Sequence, residues 1–110
     1  MSGKLAGVYV NTPNTNTKIY TPPDGKTGVV TLSICNLTTQ SVKIRVAING
    51  QDNVNVGNYD WIEFDFQLDP GNTYERTGIV LFNNTTGGTA NTLVVSSTGN
   101  VAAVVWGFVQ

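Results

Sequence analysis

Apolar residues in this 110-residue chain return at every second position, and no stretch of helical length keeps an i, i+3, i+4 apolar stripe. The alternation is cleanest over 41–49. There Val42, Ile44, Val46 and Ile48 fall on one side of an extended chain, and Lys43, Arg45 and Ala47 on the other. Asn49-Gly50 then supplies a strong turn signal. Upstream, Val30, Leu32 and Ile34 share a face opposite Val29, Thr31, Ser33 and Cys35. Downstream, Ile62, Phe64, Phe66 and Leu68 alternate with Trp61, Glu63, Asp65 and Gln67. That pattern predicts a core strand whose four apolar side chains each contribute about 1.5–3 kcal/mol on burial, before entropy is subtracted. Slipping it by one residue would bury two acids, so its register is firmly specified.

Shorter strands are predicted over Leu5–Val10, Lys18–Tyr20 and Thr92–Ser97, and another around Ile79 and Leu81, with Gly78 marking a bulge. The last strand, Val101–Val109, is apolar on both faces. Such a strand is expected to be covered on both sides, by the core (where Trp106 is placed) and by a subunit interface. Pro22-Pro23-Asp24-Gly25 makes a rigid corner, and the 83–91 segment NNTTGGTAN reads as an exposed loop. At Asp69-Pro70-Gly71-Asn72 a tight hairpin is disfavoured, because Pro70 cannot adopt the positive φ that a two-residue hairpin turn needs first. A type II turn fits Pro-Gly, and it predicts a crossing from one sheet to another. The expectation is an all-β, single-domain antiparallel β-sandwich over 1–110. It has about eight strands in a Greek-key or jelly-roll-like order. Residues 1–17, with the polar run NTPNTNT, fit an extended N-terminal arm, mobile or partner-swapped, as readily as they fit core.

Charge changes the picture little but narrows the partners. The formal net charge is -1 and charged residues are 12% of the chain, so nucleic acid is not an expected partner. A neutral surface of Asn, Thr, Ser, Gln and Gly suits packing against other protein. Cys35 is the only cysteine and is read as an inert, buried thiol. Met1-Ser2-Gly3-Lys4 leads into no long apolar run, so neither a secretory signal nor a membrane span is expected. Without a signal peptide, the sequon-like Asn36-Leu37-Thr38 and Asn83-Asn84-Thr85 are read as products of Asn/Thr richness.

The chain has no histidine, which removes the commonest general base and metal ligand. No catalytic, cofactor or metal site is assigned, and the protein is expected not to be an enzyme. Glu63 and Asp65 would share a strand face beside Trp61, about 7 Å apart, a spacing compatible with a glycosidase pair. Solvated surface acids, paired with bases such as Arg76, are the plainer reading. The 52–60 segment DNVNVGNYD is rich in oxygen ligands but lacks the spacing of a calcium loop. Trp61 and Tyr59 are the aromatic residues placed to stack on a partner or a sugar, with Asn58, Asp60 and Glu63 accepting from hydroxyls. Tyr59, Trp61, Glu63, Asp65 and Arg76 are therefore the candidate interface or glycan contacts.

The order of motifs resembles a family of small bacteriophage virion proteins with a jelly-roll-like sandwich. The residues that carry it are Tyr20-Thr21-Pro22-Pro23-Asp24-Gly25-Lys26, Ile34-Cys35-Asn36 and Trp61-Ile62-Glu63-Phe64-Asp65. The specific heptad Glu75-Arg76-Thr77-Gly78-Ile79-Val80-Leu81 and the closing Trp106-Gly107-Phe108 complete it. Trp61 stands where the pattern has a tyrosine, and the Tyr20–Lys26 segment carries an extra Pro and Asp. The resemblance spans Ile19 to Val109. It implies a structural role as a capsid decoration or cement protein, or as a small tail or baseplate accessory. The chain would be made in the bacterial cytoplasm and end in the virion. The expected partners are copies of itself, with a trimer favoured, and other virion proteins such as the major capsid or tail proteins. The alternative is a carbohydrate-binding module that recognises a host surface glycan.

Overall fold

The computed structural model describes residues 2–110. The strands are β1 (Ser2–Val10), β2 (Thr17–Tyr20), β3 (Thr27–Asn36), β4 (Val42–Asn49), β5 (Trp61–Leu68), β6 (Thr73–Asn84), β7 (Thr89–Ala90), β8 (Thr92–Ser97) and β9 (Val101–Val109). They form a five-stranded sheet in the order β1-β9-β3-β6-β7 and a four-stranded sheet in the order β2-β8-β4-β5, all antiparallel. Apart from the two-residue β7, the pairing is nested: β1 with β9, β2 with β8, β3 with β6 and β4 with β5. A long hairpin rolled up in this way is a jelly roll, so the all-β sandwich expected from the alternation is the fold. β7 and a 3-10 turn (Thr85–Gly87) lie in the segment expected to be an exposed loop, where Asn83 and Ala90 are in fact buried. Residues 2–10 run along the whole of β9 and bury Val10.

The core lies between the sheets. Val30, Leu32 and Ile34 of β3 face Val42, Ile44 and Val46 of β4 across it, joined by Ile79 and Leu81 of β6 and Val101, Ala103 and Val105 of β9. The expected inward faces of β3 and β4 are thus the buried ones. Ala47, expected to point outward, does so but is fully buried. It lies in a row with Lys18, Val94 and Trp61 on the outer face of the four-stranded sheet. The connections on either side meet over that row: the Asn16 side-chain amide donates to the Val54 carbonyl at 3.2 Å, and Lys18 pairs with Asp52.

β5 departs most from its sequence pattern. Glu63 is opposite Val46 and Phe66 opposite Ile44, so Phe64 and Asp65 together face the single residue Arg45. This bulge is made by Asp65 at φ 56. It turns Phe64 out of the expected core face, where 53% of it is exposed, and leaves Phe66 at the rim against Tyr74. Only Ile62 and Leu68 of the four expected staples pack on the core. β5 is an edge strand, so the bulge disturbs one ladder rather than two.

The remaining punctuation agrees with the sequence. The Asn72 amide donates to the Asp69 carbonyl at 3.0 Å, closing the Pro70-Gly71 turn where the chain leaves one sheet for the other. Gly78, at φ 69, sits with Thr77 in a bulge opposite Thr31. That bulge carries Ile79 and Leu81 into the core. Asn36 ends β3 as a buried knot. Its amide donates to the carbonyls of Gln40 (2.8 Å) and Leu68 (2.9 Å), and its oxygen accepts from the amide and hydroxyl of Thr38 (both 2.8 Å).

Candidate functional site

Two surfaces carry the candidate function, one on each sheet. The first is a groove of about 420 Å3 on the outer face of the four-stranded sheet. The β5 bulge creates one wall by placing Phe64 and Asp65 beside Arg45. The Arg45 guanidinium lies 4.0 Å from the Phe64 ring centre. It donates from Nε to Asp65 Oδ1 at 2.6 Å and from Nη2 to Asp65 Oδ2 at 3.3 Å. Trp61 meets Phe64 edge-on, with centroids 5.4 Å apart. The Arg45 hydrogen bond, reinforced by the charges of Arg45 and Lys43, holds the Asp65 carboxyl below the usual aspartate range, and the same bond raises Arg45. The opposite wall comes from the β1–β2 connection, with Asn14 and Asn16, and from Ser96 to Thr98 at the end of β8. Asn14, at φ 57, anchors that wall by donating its backbone amide to the Ser97 carbonyl at 2.8 Å.

The five residues singled out from sequence do not form one site. Trp61 and Asp65 line the groove. Glu63, expected on the same face as Asp65, is turned to the mouth between the sheets because the bulge intervenes. There it adjoins Tyr74 and Arg76. Burial raises the Tyr74 phenol, Arg76 opposes that shift and Glu63 adds to it. Arg76 donates to the Ile62 carbonyl at 3.2 Å and so ties β6 to β5; the base paired with Asp65 is Arg45. Tyr59 is fully exposed on the loop before β5, outside the groove lining. The oxygens of that loop are engaged locally: Asp52 with Lys18, Asn53 with Asn49 and Asn55, and Asp60 with the Gly57 amide. Among the described residues no three His, Cys, Asp or Glu cluster to hold a metal ion. Sequence reasoning missed Asn14, Lys43, Arg45 and Ser96 as groove residues. They come from three separate segments, and only the rolled topology brings them together.

The second surface is the outer face of the five-stranded sheet. Phe108, Val29 and Val80 are direct neighbours across β9, β3 and β6, with Phe82 beside Thr27 and Trp106 beside Thr31. Trp106, expected in the core, is on this outer face and 37% exposed, because Val105 and Ala103 take the inward positions of β9. Phe108, Phe82, Val29 and Val80 are 44–56% exposed. With aromatic side chains of about 150–250 Å2 each, the five present on the order of 400 Å2 of contiguous apolar surface. Charges are confined to the rim, where Lys4 stands beside Trp106 and Glu75 beside Ser33.

Comparisons of the chain with protein-family models, with curated proteins and with solved structures give no match.

Proposed function

We propose that this protein is a non-catalytic structural subunit of a bacteriophage particle, acting by burying the outer face of its five-stranded sheet against neighbouring subunits. The observation that carries the proposal is the apolar patch of Val29, Val80, Phe82, Trp106 and Phe108. Covering about 400 Å2 of apolar surface at roughly 25 cal/mol per Å2 contributes on the order of 10 kcal/mol per face, comparable with the cost of association. Four strands at about 4.8 Å spacing and nine residues at about 3.3 Å make this face roughly 19 by 30 Å, close to one side of a standard interface. A net charge of -1 leaves little repulsion between copies.

The phage assignment rests on the motif order through Glu75–Leu81 and Trp106-Gly107-Phe108. In the fold the former places a bulge and the latter places two patch aromatics. Jelly rolls also build viral capsid and lectin domains, which is an analogy of fold only. The proposed state is a homo-oligomer, a trimer favoured, set on a major capsid or tail protein as a decoration or accessory subunit. Cryo-electron microscopy of the purified particle that carries the chain tests this. The expected density is a jelly roll at regular positions with Trp106 and Phe108 covered. Particles without it, or subunits with that face in solvent, would remove the proposal.

A further inference from the structure

We infer that the groove on the outer face of the four-stranded sheet is a binding site for an acidic saccharide, a pyranose bearing a carboxylate. A sugar offers an apolar C–H face and a rim of hydroxyls, and the groove offers the complement. Trp61 forms an aromatic wall, while the Asn14 carboxamide and the Ser96 hydroxyl line the groove without a hydrogen-bond partner inside the described chain. The Thr98 hydroxyl accepts from the Lys43 amide at 2.9 Å and keeps its own proton to donate. Its volume of about 420 Å3 accommodates a mono- or disaccharide and lies within the roughly 300–1,000 Å3 of small-molecule sites.

Charge selects the acidic sugar. Lys43 and Arg45 face a single carboxylate, Asp65, which makes the groove locally positive in a chain of net charge -1. Asp65 takes Nε and Nη2 of Arg45 and leaves Nη1, with the Lys43 ammonium, for a ligand carboxylate. Arg45 is also held in place before any ligand arrives, by the Phe64 ring at 4.0 Å and the Asp65 fork. Less ordering is then left for binding to supply. A neutral sugar would leave the surplus positive charge unmatched. The groove and the apolar patch lie on different sheets, so both can be occupied at once and either can fail without the other.

The test uses the full chain and 15N-detected NMR titration, following the Trp61 indole. The probes are galacturonate, glucuronate, N-acetylneuraminate, neutral galactose and uridine monophosphate. At least one acidic sugar is expected to saturate the groove, with about tenfold preference over galactose. Lys43→Gln changes an exposed side chain, and Asn14→Gly keeps the positive φ, so both should retain the wild-type spectrum elsewhere. Lys43→Gln is expected to weaken the acidic sugar by about fivefold or more and to leave galactose unchanged. Asn14→Gly is expected to weaken both. No saturable shift with any acidic sugar up to about 50 mM, equal binding of galactose, tighter binding of the nucleotide, or unchanged affinity in both variants would each overturn the inference.

Discussion

Replacing Asn36 by Ala should cost far more than any exposed asparagine in the chain. The side chain is 3% exposed and makes four hydrogen bonds that join the end of β3 to the β3–β4 connection and to the end of β5. Water can replace the two Thr38 contacts in part, since Thr38 lies on a partly exposed turn. It cannot readily reach the Leu68 carbonyl, whose bond to Asn36 is buried. A net value of about 1 kcal/mol per hydrogen bond, and about 1–3 kcal/mol for a buried acceptor left unpaired, give a loss of about 2–4 kcal/mol. For a domain of this size that corresponds to a fall in Tm of roughly 10–25 °C. Urea unfolding followed by circular dichroism measures it, with Asn58→Ala on the exposed loop as a control expected within about 0.5 kcal/mol of wild type. A loss below about 1 kcal/mol for Asn36→Ala would show that the knot is not what fastens these strand ends.

Phe64→Ala should cost only about 0.5–1.5 kcal/mol, the worth of a stacked Arg45 and partial burial, while Leu32→Ala should cost about 2–5 kcal/mol. Equal losses in urea titrations would return Phe64 to the core. At Gly107, φ is 152 and an added Cβ would stand 2.3 Å from the Val29 carbonyl oxygen. Gly107→Ala is therefore expected to lose more than about 2 kcal/mol, and Gly50→Ala, which has open space around it, less than about 0.5. The carboxyls of Asp24, Asp65 and Asp69 are all lowered, by hydrogen bonds from Thr85, Arg45 and Gln67 first. A lowered native pKa means the unfolded chain takes up protons first. Stability is then full above about pH 5 and falls as pH drops through the native values. With no histidine, thermal scans should show a plateau from about pH 5 to 8, and a marked step near pH 6.5 would contradict this.

The strand positions and the sandwich class were largely legible because alternation and turn chemistry act locally. β3 and β4 could be faced from their inward Val, Ile and Leu, and Pro70-Gly71 excluded the simple hairpin on φ alone. β5 was not legible. Its sequence alternates without a break, and nothing in it marks Asp65 for a positive φ, which an edge strand with one partner tolerates. The bulge at Phe64 and Asp65 separates Glu63 from Asp65, moves Phe64 to Arg45 and opens one wall of the groove. Trp106 failed for another reason: a strand apolar on both sides does not tell which side is the core. The groove combines residues from 14 to 98, so its composition depends on the nested pairing and not on any motif.

The proposed role requires assembly through the outer face of the five-stranded sheet. Light scattering of the isolated chain over a range of concentrations tests it most directly, alongside the Val80→Lys, Phe108→Lys double variant. Both positions are about half exposed, so the variant should keep the wild-type circular dichroism. The expected wild-type mass rises with concentration to a small multiple of 11.7 kDa, three times in the favoured state, while the variant stays at 11.7 kDa. A wild type that remains at 11.7 kDa throughout, or a variant that associates as the wild type does, would contradict it.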